Sequence, residues 1–420
     1  MFRFLTAGES HGKALVAIVE GIPAGLEISE DYIARHLARR QAGHGRSERQ
    51  QIEKDRAEIL SGVRHGLTLG SPISLLIQNR VWADWQEEMS VEPVAGDTQP
   101  VTRLRPGHAD LSGSVKYHQM DVRNILERAS ARETAARVAA GAVARRFLEE
   151  LGIEIRSRTL SIGEHGTRNK EQGTRNKQRD RGQGARGREL DSRPSTLDSG
   201  PTLGIDWDRV EASPVRCPDP EAELAMITAI DRAREAGDTL GGVFQVVATG
   251  VPMGLGSHIQ WDKRLSGRIA QAIMSIHAVK GVEIGLGFGV ARVPGSQAHD
   301  LIELDGPYAF AMGLPQRWRR PTNRAGGLEG GTTNGEPIVI QAAVKPIATL
   351  LKPLASVDLI SGQAVKAHYE RSDICIVPAA GVVGEAMLAI VLADAVLEKF
   401  GGDHIHETRR NHDAYMEAGW

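Results

Sequence analysis

The chain is poor in cysteine and in aromatic residues. Only Cys217 and Cys375 occur in 420 residues, far apart and without C-x-x-C spacing. That argues against a disulfide scaffold and a cysteine-based zinc site, and it fits a reducing cytosol. Phe, Trp and Tyr together make up 4% of the chain, so Ala, Val, Ile and Leu must fill the core. Neither sign of charge is in excess: the formal net charge is −2. A chain so balanced does not gather polyanions by bulk attraction. The opening residues read as a strand and a polar turn, not as a basic region followed by an apolar stretch, so no secretory leader is expected. One long apolar run occurs, at 378–397, and it carries Glu385 and Asp394. Carboxylates are costly at bilayer depth, so a buried helix is expected there rather than a membrane span. The hydrophobic share of 41% and charged share of 25% are ordinary for a soluble globular protein.

Strand-like and helix-like runs alternate along the chain. Strands are expected at 2–5, 14–19, 73–77, 153–160, 243–249, 282–284 and 337–344. Helices are expected at 30–41, 131–151, 221–236, 262–276 and 379–400. Such interleaving implies an α/β or α+β class. Ser130-Ala131-Arg132-Glu133 has the capping-box pattern, and Ala135, Val138, Ala139, Ala142 and Val143 then line one apolar face. Residues 163–200 stand apart. They are rich in Gly, Arg, Asn, Gln and Ser, and repeat Gly-Thr-Arg-Asn-Lys at 166–170 and 173–177. A segment so polar cannot offset its ordering entropy, and it is expected to be a flexible basic insertion. The rest of 1–400 is expected to form one domain, with 401–420 a polar tail. That tail holds His404, His406 and His412 without a carboxylate or cysteine framework, so no metal is expected.

Chemistry concentrates in a few glycine-bracketed turns. The first is Gly8-Glu9-Ser10-His11-Gly12, directly after the first strand. Histidine can give or take a proton near neutrality, and glycine lets backbone approach a ligand. The second is Arg105-Pro106-Gly107-His108-Ala109-Asp110. There an arginine can hold an oxyanion while a histidine protonates a leaving group. Between them lies an arginine cluster around Gly43 and Gly45: Arg39, Arg40, Arg46 and Arg49. Guanidinium groups bind phosphate and carboxylate bidentately, and a glycine-rich loop can close over a ligand. Arg128 and Arg132 flank a helix start, a further anion site. The Gly-rich stretch 323–335 lacks Gly-Lys-Ser/Thr and precedes a strand, so it is neither a P-loop nor a dinucleotide fingerprint.

In this order the pieces closely resemble the chorismate synthase family over nearly the whole chain. The resemblance rests on the stretches 8–23, beginning Gly-Glu-Ser-His-Gly, and 127–143, beginning Glu-Arg-Ala-Ser-Ala-Arg-Glu-Thr. A third stretch, Arg371-Ser-Asp-Ile-Cys-Ile-Val-Pro378, leads into the last apolar helix. It implies an α+β fold, a β-α-β sandwich with antiparallel sheets in the core and helices outside, in a homotetramer. It implies an anti-1,4-elimination of phosphate from 5-enolpyruvylshikimate 3-phosphate that needs reduced FMN. The reductant would be NADPH or a separate flavin reductase, in the cytoplasm. By the same resemblance His11, His108, Asp373 and Ser130 are catalytic. Flavin contacts fall on Arg128, Ala129, Ser130, His277, Ala278, Gly330, Lys345, Pro346, Ile347, Ala348, Thr349 and Arg371. Ser10, Arg40, Arg46, Arg49, Arg105 and Arg132 would hold substrate or NADP phosphate. The family commonly has serine at Ala129 and often asparagine at His277. The rival class, a nucleic-acid binder using the basic segments, lacks aromatic stacking residues beside its arginines.

Overall fold

The computed structural model describes residues 1–47, 52–94, 99–167, 204–304 and 318–418. Strands β1 (Arg3–Ala7), β2 (Ala14–Glu20), β3 (Ala57–Ile59) and β4 (Ile73–Gln78) form one antiparallel sheet in the order β1-β2-β4-β3. Strands β5 (Glu154–Ile162), β6 (His165–Gly166), β7 (Gly242–Thr249), β8 (Val279–Ile284) and β9 (Ile338–Val344) form a second, ordered β8-β9-β7-β5-β6. Its pairs are antiparallel as well. Strand alternation sets the inner faces. Along β2, Leu15, Ala17 and Val19 are buried, whereas Ile18 is exposed.

The helices that fill the molecule are α1 (Glu30–Gln41), α2 (Asp110–Tyr117), α3 (Arg123–Ala129), α4 (Thr134–Glu149), α5 (Pro220–Ala236), α6 (Leu265–Met274), α7 (Val377–Phe400) and α8 (Ile405–Glu417). Helix α4 packs on β2 and β4, α7 packs on β5 and β7, and the two helices pack on each other. The α+β class and antiparallel pairing are as expected. The layer order differs from the expected one: α4 and α7 lie between the two sheets, not outside them. The reason is the composition of α7. Only Asp394, Glu398 and Lys399 of that helix are not buried, and a helix apolar on every side must be enclosed on every side. It is long and apolar enough to cross a membrane, yet it is packed inside the protein.

Small residues let these layers meet. A Cβ on Gly141 of α4 would lie 2.4 Å from Ala386 Cβ of α7. A Cβ on Gly384 would lie 2.8 Å from the Phe244 ring on β7. Two anchors then fix the frame. The Phe2 amide donates to Asp394 Oδ1 of α7 at 2.7 Å, 392 positions away. Glu385, 1% exposed, accepts from Arg39 and Arg145 at 2.7 Å each, from Ser157 at 2.6 Å and from Arg216 at 3.4 Å. Burial would raise the Glu385 carboxyl, but the three guanidinium groups outweigh it and hold it well below the usual carboxylate range.

Local differences from the sequence expectations have physical causes. Ser130 Oγ accepts from Arg132 N at 3.3 Å and caps a 3-10 turn, Ala131–Glu133. Glu133 does not complete a box; it accepts from Thr6 Oγ1 at 2.8 Å and Arg137 Nε at 2.8 Å. A capping box closes instead at His404 and Glu407, so the polar tail carries helix α8, with His412 buried against Phe400. No metal-holding cluster occurs among the described residues. Of the expected insertion, His165–Gly166 pairs back on β5, and 168–200 lie outside the described residues.

Glu385→Ala should cost about 3–5 kcal/mol, because it leaves buried arginines uncompensated; urea unfolding measures it. The depressed carboxyl contributes stability that is complete above its ordinary value of 4.5 and is lost as pH falls below it. The variant should therefore differ most from the parent at neutral pH and converge with it in acid.

Candidate active site

A cavity of about 970 Å³ opens where α4 and α7 begin. Thr134 at the head of α4 and Ala379, Ala380 and Val383 near the head of α7 line it. Helix starts carry partial positive charge, which suits anions. The volume is at the upper end of ordinary small-molecule sites, about 300–1,000 Å³.

The first wall is the turn after β1. Gly8 has φ +102°, and a Cβ there would lie 2.2 Å from Ala14 O, so only glycine fits. The turn is pinned to α3. Ser10 N donates to Glu127 O at 3.1 Å, and His11 N donates to Glu127 Oε2 at 2.8 Å. His11 Nδ1 lies 2.9 Å from Glu127 Oε1, and the ring stacks on Trp85 at 4.0 Å between centroids. Arg128 donates to Gly8 O and Thr6 O at 2.9 Å each. It therefore holds the turn from behind and does not line the cavity. Ser130 Oγ donates to Ser10 Oγ at 3.2 Å, and both residues are on the wall.

The second wall is the 105–110 loop. His108 Nδ1 donates to Asp110 Oδ1 at 2.5 Å. Arg105 donates to the same carboxylate through Nε at 2.8 Å, Nη2 at 3.0 Å and its backbone N–H at 3.0 Å. Burial would raise Asp110, but the bonds from His108 and Arg105 outweigh it and hold it far below the usual range. An ionised Asp110 fixes the proton on Nδ1, which leaves Nε2 as the nitrogen that can carry a proton to a ligand.

The third wall carries buried arginines. Arg132 Nη1 donates to Asp55 at 2.6 Å and its Nε to Asn79 at 3.0 Å. Arg40 Nε donates to Thr134 at 2.9 Å. Burial brings Arg40 down to about 10, with Asp55 opposing and Arg46 and Arg132 adding, so it stays charged at neutrality. Arg46 pairs with Asp373 Oδ2 at 2.9 Å, and Ser47 N donates to Asp373 Oδ1 at 2.6 Å. Opposite run Ala278, the 345–349 segment and Arg371. Lys345 Nζ donates to Gly107 O, and its ammonium is lowered by burial and then by Lys280. His277 is lowered to about 4, mainly by burial, against the pull of Glu133.

The structure thus brings together Ser10, His11, Arg40, Arg46, Arg105, His108, Ala129, Ser130, Arg132, His277, Ala278, residues 345–349, Arg371 and Asp373. Gly330 sits in the hairpin Leu328–Thr333 near His258, away from this lining, and Arg49 lies outside the described residues. Sequence reading assigned no role to Glu127, Asp110, Trp85, Arg123 or Glu370. The His108-x-Asp110 spacing was a usable signal. Glu127 is 116 positions from His11, and no local pattern links them.

Two carboxylate-backed histidines inside an arginine-lined cavity are chemically suited to proton transfer beside an anionic small molecule. The family model for chorismate synthase matches residues 2–397. A chorismate synthase of Moorella thermoacetica is 54% identical over 420 residues, covering 99% of each chain. One of Aquifex aeolicus is 54% identical, covering 99% of this chain and 97% of that protein. A solved chorismate synthase crystal structure superposes with a TM-score of 0.71 at 46% identity, covering 99% of this chain and 97% of the other. The chain belongs to the chorismate synthase family and is a lyase.

With its value near 4, His277 should be neutral from pH 5 to 8. Its ring signals in a histidine-labelled NMR titration should stay flat across that range.

Proposed function

We propose that the chain catalyses the anti-1,4-elimination of phosphate from 5-enolpyruvylshikimate 3-phosphate, giving chorismate, with reduced FMN held in the cavity. One observation carries this reading in a chain of that family. His11 and His108, each backed by a carboxylate, share one cavity with Arg40, Arg46, Arg105, Arg132 and Arg371. The substrate's phosphate and two carboxylates call for such a ring of guanidinium groups.

The residues present fit a flavin. His277 Nδ1 and Arg46 Nε are buried without a hydrogen-bond partner, and both residues line the cavity. A heteroatom-rich ring system would satisfy them. The residues that would hold it are Ala129, Ser130, His277, Ala278, 345–349 and Arg371. When bound, reduced FMN lends electron density as the C–O bond to phosphate breaks, with no net redox change.

The protein's own groups do the rest. The arginines hold and orient the anions, and Arg105 is rigid because Asp110 takes three of its donors. His108 donates a proton from Nε2 to the departing phosphate, and Asp110 stabilises the imidazolium before transfer. His11, held by Glu127 and Trp85, would present a proton toward the flavin when it is bound. Asp373, held by Arg46 and Ser47, would with Ser130 assist removal of the substrate's ring proton, whose loss balances the departure of phosphate. The buried state of Arg40, Arg105 and Arg132 counts against a nucleic-acid surface, which needs exposed cations. The reductant is NADPH at this enzyme or a separate flavin reductase. We assign a cytoplasmic homotetramer with Cys217 and Cys375 reduced. Supporting self-association, Leu5 and Ile18 pair across β1 and β2 and are 68% and 42% exposed.

The test is anaerobic phosphate release with chemically reduced FMN. Release is expected with reduced and not with oxidised flavin, and no release with reduced FMN overturns the reading. The same assay in air with NADPH alone separates self-reduction from a partner reductase. Asp110→Asn should slow release by about 10²–10⁴-fold, the span of acid–base catalysis, measured as initial rates.

A further inference from the structure

The two histidine pairs are not isolated from one another. Glu127 Oε1, which faces His11 Nδ1, also accepts from Arg123 Nη1 at 2.9 Å. Arg123 Nη1 lies 3.5 Å from Glu370 Oε1. Glu370 Oε2 lies 3.6 Å from Arg105 Nη1. Arg105 in turn donates to Asp110, which accepts from His108. Signs alternate along the whole path from one ring to the other. Glu370 is its midpoint and the anion that keeps two arginines facing each other.

We propose that Glu370 is a positioning residue that joins both histidines into one charge-alternating chain, so that protonation of His11 and of His108 is coupled. This rests on the reading of these two histidines as the groups that hold protons at the reacting centre. The groups around Glu370 support it. Arg105 comes from the 105–110 loop, Arg123 from α3 and His368 from its own segment, with His368 Nε2 3.5 Å from Oε1. Burial would raise the Glu370 carboxyl, but His368, Arg105 and Arg123 outweigh it and bring it to about 2. It therefore stays an anion over the whole range in which histidine titrates.

Its sign of action follows. Without the central anion, Arg123 and Arg105 repel and turn more fully onto Glu127 and Asp110. Each histidine then faces less net negative charge, so its protonated form is less favoured. The substrate site meanwhile gains net positive charge, so anion binding is not weakened.

The first arm uses ligand-free protein with labelled histidine rings and is independent of the reaction. In Glu370→Gln the NMR titration midpoints of His11 and His108 should both fall, by about 0.5–1 pH unit for a half-screened charge a few ångströms away. Glu370→Asp, which keeps the charge, should restore them. In the parent protein, protonation of one ring should lower the midpoint of the other, so replacing by Gln whichever of His11 and His108 titrates at the higher pH should raise the midpoint of the remaining one. That arm holds even if Glu370→Gln does not fold. Midpoints that in Glu370→Gln stay put or move for one ring alone, or a remaining midpoint that ignores the loss of the other histidine, overturn the proposal. The second arm reads turnover. Glu370→Gln should lower kcat about tenfold, part of the 10²–10⁴ that positioned proton transfer supplies, without raising KM. A raised KM with unchanged kcat overturns the positioning role. Coupled midpoints in a protein that releases no phosphate would instead fault the assigned reaction and leave the chain standing.

Discussion

The close approach of α4 and α7 is the constraint on which the rest depends. Gly141 against Ala386 leaves no room for one more carbon, and neither does Gly384 against Phe244. Two helices so close can share one layer, and a sheet covers each outer side. Their first turns then emerge side by side, and the cavity is the space in front of them. A core of small and branched residues, not aromatics, is what makes this spacing attainable. Glu385 locks the arrangement because its four partners come from α1, α4, β5 and the turn at Arg216.

The same device recurs at the site in a different role. His11 and His108 are each held by a carboxylate, each of those carboxylates by an arginine, and each buried arginine by an acid or amide. Little is left to rotate. Arg132 between Asp55 and Asn79, and Arg105 on Asp110, present their charge without the freedom that would have to be lost on binding.

Much of the fold was legible in the sequence. Period-two and period-3.6 patterns gave β2, β4, β7, β9, α1 and α7 within a few residues. Short strands such as β3 and β6 were not legible, since two or three residues carry no period. The layer order was misjudged although α7, apolar on all sides, already argued for an interior helix. Of the residues in marked turns, Ser10, His11, Arg105 and His108 lie on the cavity. Glu127 and Glu370 were not legible, because charge pairing across the 116 positions from His11 to Glu127 or the 247 from Arg123 to Glu370 leaves no local trace. Arg128 was read as a ligand group, yet its donors go to Thr6 and Gly8. A sequence marks a guanidinium but not the carbonyls it will find.

The bond from Phe2 to Asp394 has a consequence for how the molecule is made. The first strand's amide finds its acceptor 392 residues later. At a synthesis rate of about 5–20 residues per second, that acceptor leaves the ribosome roughly 20–80 s after the strand does. The cavity, too, draws on residues from Ser10 to Val383. No growing chain can assemble it early: α4 can cover the amino-terminal sheet, but its own outer side must wait exposed until α7 arrives. Survival through that interval is a demand on the sequence distinct from stability or turnover. It falls on α4, whose apolar contact with α7 is the last to form.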